Sequence, residues 1–125
     1  MKEFIFVFIG GGVGSCLRFL LSCIWKSASL LPCLSGILFP WPTLLANCMG
    51  CFLIGLFYSH APYWHLKPET SLLLTTGFCG GFTTFSAFSW EAISLLRSGH
   101  INQFAIYLFL SISIGLLAVL LGTKL

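Results

Sequence analysis

The chain has 125 residues, of which 58% are hydrophobic and only 7% are charged, and its formal net charge is +3. With a mean hydropathy of +1.00, this composition lies outside the range of soluble globular domains and is typical of an integral membrane protein. The positive charges are spread along the chain and form no basic block, so we expect no nucleic-acid partner.

Four apolar stretches are long enough to cross the hydrocarbon core of a bilayer, which takes about 20 residues of helix. They cover residues 4–25, 42–59, 70–96 and 101–121. The sequence therefore predicts an all-α integral membrane protein with four transmembrane helices, folded as a single domain over residues 1–125. The connector over residues 26–41 is apolar but contains Pro32 and Gly36, and we interpret it as an interfacial loop.

The first predicted helix carries glycines and one arginine. Gly10 and Gly14 are four residues apart on one helix face, as close packing against another helix requires. Arg18 lies inside the apolar stretch, where a cation costs about 2.5–3.5 kcal/mol, so it should face protein or water and have partners. We favour a role for Arg18 in function or assembly over snorkelling. Because Arg18 would interrupt the apolar core of a signal peptide, we expect this helix to remain in the mature protein.

The second predicted helix contains one amide, Asn47, in the segment TLLANCMGCF. Asn47 either makes an interhelical hydrogen bond, worth under about 1 kcal/mol on average, or donates to a passing ligand. Cys48 and Cys51 form a C-x-x-C pattern in the same helix. Cysteine in an apolar segment behaves as a small hydrophobe, so we interpret both as structural.

The third predicted helix contains the segment GFCGGFTTFSAFSWE, residues 77–91, which is unusually rich in glycines and hydroxyls for a lipid-buried span. Gly80, Gly81, Thr83 and Thr84 form a sequence at which a helix can unwind, because glycine tolerates the required dihedral angles and threonine can satisfy freed backbone groups. Carbonyls freed at membrane depth can coordinate a cation. The glycines serve equally well as a packing notch, and the sequence alone leaves both readings open.

Two phenylalanines follow the glycines. Phe85 and Phe88 are three residues apart and share a helix face, which more often means a core or lipid-facing stripe. Here Thr84, Ser86 and Ser89 surround them with hydroxyl groups. A phenylalanine ring has a positive edge, so ring edges with hydroxyl and amide donors could pass a small anion without a fixed basic residue.

The fourth predicted helix carries a narrow polar stripe in which Tyr107, Ser111 and Gly115 recur every four residues. This stripe would suit the wall of a pore. Alternatively, the tyrosine lies at the membrane interface and the serine bonds back to its own helix. No nucleophile paired with a base and no cluster of metal ligands falls in the predicted spans, so we predict that the protein is not an enzyme and has no organic cofactor.

Three segments resemble the signature segments of the Fluc fluoride channels, also called the CrcB family: GGGVGSCLRF, PTLLANCMGCFLIG and above all GFCGGFTTFSAFSWE. The resemblance extends over all four predicted spans in the expected order. It implies an antiparallel, dual-topology homodimer of four-helix subunits in the inner or plasma membrane of a prokaryote, with a broken third helix. The implied function is passive, fluoride-selective efflux through two pores per dimer, giving resistance to fluoride toxicity.

The resemblance also implies roles for individual residues. A central structural sodium ion would be held by the backbone carbonyls of Gly80 and Thr83 from both subunits. Arg18 and Glu91 match the charged residues of the first helix and of the third-helix motif, which we expect to serve structure or assembly. Gly115 stands where the family usually has another hydroxyl group. The residues expected to line the fluoride pore are Asn47, Phe85, Phe88, Tyr107 and Ser111.

The distribution of charges in the connectors supports dual topology independently. Four spans place Lys2, Lys67 and Lys124 on one side of the membrane and Lys26 and Arg97 on the other. Positive charges near span ends decide which side stays cytoplasmic, so this near balance predicts insertion in both orientations.

Two rival interpretations belong to other classes of protein. A dual-topology multidrug exporter depends on an acidic residue in its first helix, where this chain has only Glu3 at the edge. A purely structural membrane subunit is not excluded by composition.

Overall fold

The computed structural model describes residues 1–28 and 39–125 of the chain. All regular secondary structure in these residues is helical, which confirms the prediction of an all-α protein. In chain order the elements are α1 (Lys2–Ala28), α2 (Trp41–His60), α3 (Pro68–Leu72), a π-helical segment (Leu73–Cys79), α4 (Gly80–Phe82), α5 (Phe85–Arg97) and α6 (Ile101–Lys124).

Within the described residues 1–28 and 39–125, three helices, α1, α2 and α6, are long and apolar enough to cross a membrane. They contain the predicted spans over residues 4–25, 42–59 and 101–121, and the chain is a multi-pass membrane protein. Both ends of the predicted interfacial loop over residues 26–41 are helical instead, because α1 continues to Ala28 and α2 begins at Trp41. Residues 29–38 of that loop lie outside the described residues.

The helical region over residues 68–97 is divided. It begins at Pro68, a first-turn position where the missing N–H of proline has no helical partner to lose. After the π-helical segment, α4 ends at Phe82, and the next two residues adopt extended conformations before α5 begins. The φ and ψ angles are −84° and 156° at Thr83, and −151° and 124° at Thr84.

Helix α1 packs closely on the π-helical segment and α4 through glycines. A Cβ atom on Gly10 would collide with the carbonyl oxygen of Leu73, and one on Gly14 would collide with the carbonyl oxygen of Phe78. In the opposite direction, a Cβ atom on Gly81 would collide with the backbone of α1. The predicted packing role of Gly10 and Gly14 is therefore confirmed.

Helices α2 and α6 pack side by side through a second pair of glycines. A Cβ atom on Gly55 would collide with the carbonyl oxygen of Val119, and one on Gly122 would collide with that of Phe52. In membranes, small residues of this kind let two backbones approach closely, so that dispersion contacts can hold the helices together.

The buried core of the described residues lies where α2, α5 and α6 meet. It consists of Leu44, Ala92, Leu95 and Tyr107, with Phe39 and Phe88 among the partly buried side chains around it. Many other large apolar side chains point outward, as on the outer faces of α1 and α6. Such a surface suits contact with lipid or with a second subunit.

Candidate functional site

The site is built around the interruption between α4 and α5. The Thr83 hydroxyl donates back to the carbonyl of Cys79 at 2.8 Å, and the Thr83 amide donates to the same carbonyl at 2.9 Å. The hydroxyl of Thr84 caps α5 by accepting a hydrogen bond from the Ala87 amide at 3.2 Å. The Thr84 hydroxyl thus satisfies an amide at the start of α5 that has no helical partner, whereas the Thr83 hydroxyl adds a second bond to a carbonyl that already accepts from the Thr83 amide.

Asn47 of α2 bonds to both backbone groups of Thr84. Its Nδ2 donates to the Thr84 carbonyl at 3.1 Å, and its Oδ1 accepts from the Thr84 amide at 2.8 Å. In a continuous helix that amide would donate to the carbonyl of Gly80. The side chain of Asn47 therefore takes the place of the missing helical bond and leaves the Gly80 carbonyl without its usual donor.

The amide of Asn47 has a second N–H. Within residues 1–28 and 39–125, Nδ2 makes a hydrogen bond only to Thr84, and the Asn47 side chain lines a cavity. The sequence offered two alternative roles for Asn47, an interhelical hydrogen bond or donation to a ligand. The structure shows that Asn47 makes the first with one N–H and keeps a second N–H for the other.

The carbonyl of Gly81, at the end of α4, accepts two hydrogen bonds from α1. Ser15 donates through Oγ and Arg18 through Nε, each at 3.3 Å. Arg18 is therefore turned toward protein and has a partner, as its position inside an apolar helix required. Its guanidinium stabilises the carboxyl end of α4, where the helix leaves carbonyls unpaired and carries partial negative charge.

A cavity of about 320 Å³ opens at the interruption. It brings together five of the predicted site residues: Asn47, Thr83, Phe85, Phe88 and Ser111. The remaining lining residues include Thr84, Cys51 and Cys79, and none of the side chains in the wall carries a formal charge at neutral pH. The rings of Phe85 and Phe88 lie side by side, with centroids 5.8 Å apart and planes inclined at 40°.

Ser111 on α6 contributes a hydroxyl without a partner. Its Oγ atom is buried and makes no hydrogen bond to any described residue. The alternative that Ser111 bonds back to its own helix is therefore wrong for this structure. Because an unsatisfied buried hydroxyl costs about 1–3 kcal/mol, Ser111 is a candidate ligand donor.

Tyr107 and Glu91 form a second polar group, outside the cavity wall. The Tyr107 hydroxyl donates to Oε2 of Glu91 at 2.8 Å, and the hydroxyl of Thr43 donates to Oε1 at 2.7 Å. Tyr107 is fully buried, with 0% of its surface exposed, so its side chain faces protein on all sides. Its ring packs against Phe88, with centroids 5.1 Å apart, and Phe88 also borders the cavity.

Thr43 was not anticipated as a site residue. A signal for it exists, since Thr43, Asn47 and Cys51 recur every four residues along α2 and so share a face. We call these three residues the α2 stripe, and Tyr107, Ser111 and Gly115 the α6 stripe. The stripes lie alongside each other: the first pair of residues meets at Glu91, and the second pair lines the cavity.

Gly80 lies apart from the cavity wall and is exposed. A Cβ atom built on it would meet no described atom within 4 Å. The tight packing at Gly10, Gly14 and Gly81 contrasts with this open position. The surface around Gly80 therefore has space for further protein or for an ion.

Comparison with known proteins gives a consistent result over almost the whole chain. The family model described as CrcB-like protein, Camphor Resistance (CrcB), matches residues 5–123. The chain is 49% identical over 122 residues to a fluoride-specific ion channel FluC of Bacteroides fragilis, covering 98% of this chain and 94% of the relative. It is 40% identical over 125 residues to the FluC of Thermus thermophilus, covering 100% of this chain and 94% of the relative.

Proposed function

This chain belongs to the CrcB family, and we propose that it is a fluoride-selective channel through which the anion leaves the cytoplasm passively. Its curated relatives are named as ion channels, so the protein is a transport protein and not an enzyme. The observation that carries the proposal is the uncharged cavity at the helix interruption, which joins an amide N–H, an unpartnered hydroxyl and two aromatic rings.

The chemistry of this cavity suits a small, strongly hydrated anion. Fluoride leaving water must exchange its hydration shell for donors in the wall. The second N–H of Asn47, the hydroxyl of Ser111 and the positive ring edges of Phe85 and Phe88 supply them. Because the lining has no cationic side chain, the anion is bound without being held too tightly to leave.

The polar group of Tyr107, Glu91 and Thr43 continues the pathway beyond the ring of Phe88. Both hydroxyls donate to the Glu91 carboxylate, which fixes the side chains of three helices relative to one another. We assign Tyr107 to the pore at this level, and Glu91 and Arg18 to structural roles in holding α5 and α4.

A second, inverted copy of the chain completes each site. The region over residues 68–97 is the third of four crossings and is interrupted at its middle. The subunits form an antiparallel dimer with two pores. Phe85 supports this assembly because it lines the cavity but remains 80% exposed in the single chain. The near balance of positive charges in the connectors supplies both orientations from one gene product.

The dimer holds a structural sodium ion at the interruption. The carbonyls of Gly80 and Thr83 fit this role, because the Thr84 amide that would bond to Gly80 bonds to Asn47 instead, and Thr83 is extended. Backbone oxygens are suitable ligands for a hard cation. One chain offers too few of them, which is a further reason to place the ion on the dimer axis.

The physiological role follows from the chemistry of hydrogen fluoride, which enters cells as a neutral weak acid and dissociates in the less acidic cytoplasm. A passive pore in the inner or plasma membrane of a prokaryote lets the trapped anion leave. The proposal requires no energy source beyond the fluoride gradient.

Reconstitution tests this function directly. Liposomes containing the purified protein and loaded with fluoride or chloride should release fluoride rapidly and chloride negligibly, as followed with ion-selective electrodes. Comparable chloride release would contradict selectivity, and no release of either anion would favour a purely structural membrane subunit.

Dual topology needs its own experiment. Reporter fusions at the carboxyl terminus should show populations on both sides of the membrane. Adding two or three lysines to one connector should lock a single orientation and abolish fluoride release. Fusions found on only one side, with full activity, would show that the assembly is not antiparallel.

A further inference from the structure

Two thiols form part of the cavity wall beside Asn47 and Ser111. Cys51 lies on α2 and Cys79 is the last residue of the π-helical segment, and both line the cavity. Cys79 is only 1% exposed. Because they come from different elements, the fold and not helix periodicity brings them to the same space.

The third level of the two stripes is the pair Cys51 and Gly115, which follows the first pair at Glu91 and the second pair at the cavity. The nearest atom to a Cβ built on Gly115 is the Sγ of Cys51, at 3.6 Å. The thiol of Cys51 therefore lies beside a position of α6 that carries no side chain. Where the second level presents the amide of Asn47 and the hydroxyl of Ser111, the third presents sulfur.

We propose that Cys51 and Cys79 form a two-thiol binding site for a soft monovalent cation, Cu⁺ or Ag⁺. Thiolate ligands select soft cations over the hard ions that prefer oxygen. The described residues contain no group of three or more potential metal ligands, as a closed zinc site would need, whereas a soft monovalent cation is satisfied by two sulfur atoms. Each thiol loses its proton as it binds the metal, so the occupied site carries one net negative charge.

The negative charge of the occupied site would also affect fluoride transport. This effect rests on the proposed channel function. The empty site is neutral and borders a cavity whose lining has no formally charged side chain. A bis-thiolate complex would place a negative charge and a bulky metal beside the donors of Asn47 and Ser111. Silver binding should therefore block fluoride release.

The binding test uses the full-length protein in chloride-free nitrate buffer, titrated with Ag⁺ by calorimetry at two pH values. The background variant replaces Cys16, Cys23 and Cys33 by serine. We expect one tight Ag⁺ per chain, affinity that rises with pH because protons are released, and sulfur as the only near neighbour in X-ray absorption. Cys51→Ser and Cys79→Ser should each abolish the tight step, with the alanine variants replacing any serine variant that does not fold.

Cys48 is the matched control, because it lies on the same helix as Cys51 but packs against the core cluster around Leu44 and Tyr107. Cys48→Ser should keep the tight step. Loss of binding in Cys48→Ser, or binding that survives in both Cys51→Ser and Cys79→Ser, would overturn the site. Absence of a tight step in the background variant would do the same.

Fluoride release from liposomes separates the two proposals. Release that Ag⁺ blocks in the background variant but not in Cys51→Ser supports the site and its position at the pore. If the background variant releases fluoride but binds no Ag⁺, the two-thiol site alone is refuted. If it binds Ag⁺ but never releases fluoride, the site is supported and the proposed channel function is refuted.

Discussion

Asn47 holds the backbone open at Thr84 through two hydrogen bonds, of 3.1 and 2.8 Å. The Asn47→Ala variant removes both bonds, each worth about 1 kcal/mol net, and leaves an amide and a carbonyl without these partners at about 1–3 kcal/mol for each fully buried group. Because the site is only partly buried, we expect the free energy of unfolding to fall by about 2–4 kcal/mol.

The same substitution removes the N–H that we propose donates to fluoride. A hydrogen bond to a charged group is worth about 1.5–3 kcal/mol, and each 1.36 kcal/mol added to a barrier slows a rate about tenfold. Fluoride release should therefore slow by roughly tenfold to a hundredfold. Release is measured with a fluoride electrode, and stability by thermal unfolding in detergent followed through tryptophan fluorescence.

Asn102→Ala is the matched control, because Asn102 is an exposed amide in the first turn of α6. It should change stability by no more than about 0.5 kcal/mol and leave release unchanged. If Asn47→Ala matched the parent in both measurements, the hydrogen bonds to Thr84 would carry no weight. Lost stability with parental release would restrict Asn47 to a structural role.

Three further variants test the ring edges, the dimer surface and the second polar group. Phe88→Ile should slow fluoride release strongly without dissociating the dimer, since it keeps apolar bulk but loses the ring edge; parental release would reduce the ring to packing. Gly80→Val should keep helicity by circular dichroism but shift size-exclusion elution toward the monomer, whereas Gly81→Val should destabilise the subunit itself; an intact Gly80→Val dimer would contradict the interface. Tyr107→Phe should cost about 1–3 kcal/mol by leaving Oε2 of Glu91 without its donor, and an unchanged melting temperature would contradict that contact.

The long helices were predictable because length and apolarity alone decide whether a segment can cross a bilayer. Gly10 and Gly14 were predictable as a contact face for a related reason, since a spacing of four puts both on one side of any helix. Their partners, the carbonyls of Leu73 and Phe78, were not predictable, because helix periodicity says which face packs and nothing about what packs on it.

The interruption shows where local sequence stops being informative. Gly80, Gly81, Thr83 and Thr84 permit an extended turn, but the same residues fit a packing notch, and Gly81 does serve as one against α1. What fixes the extended backbone at Thr84 is Asn47, which lies 37 residues earlier in the chain. No window around the interruption contains that residue, so the sequence left two readings open that the tertiary contact resolves.

The two stripes show how the levels of the site divide its chemistry. At the first level, Thr43 and Tyr107 both donate their hydroxyl hydrogens to Glu91, so neither hydroxyl is free to donate to an anion. At the third level, Gly115 offers no side chain and Cys51 offers only a weak sulfur donor.

The second level differs, because Asn47 keeps one N–H after bonding to Thr84 and the Ser111 hydroxyl has no partner among the described residues. Strong donors free to receive an anion therefore coincide with the interruption of the helix and with the rings of Phe85 and Phe88. Since desolvated fluoride is stabilised only where such donors are unoccupied, its main binding position in the single-chain site should be at this middle level. The first level holds the carboxylate of Glu91 and the third holds the sulfur of Cys51. We therefore expect the anion to pass through these two levels without binding there.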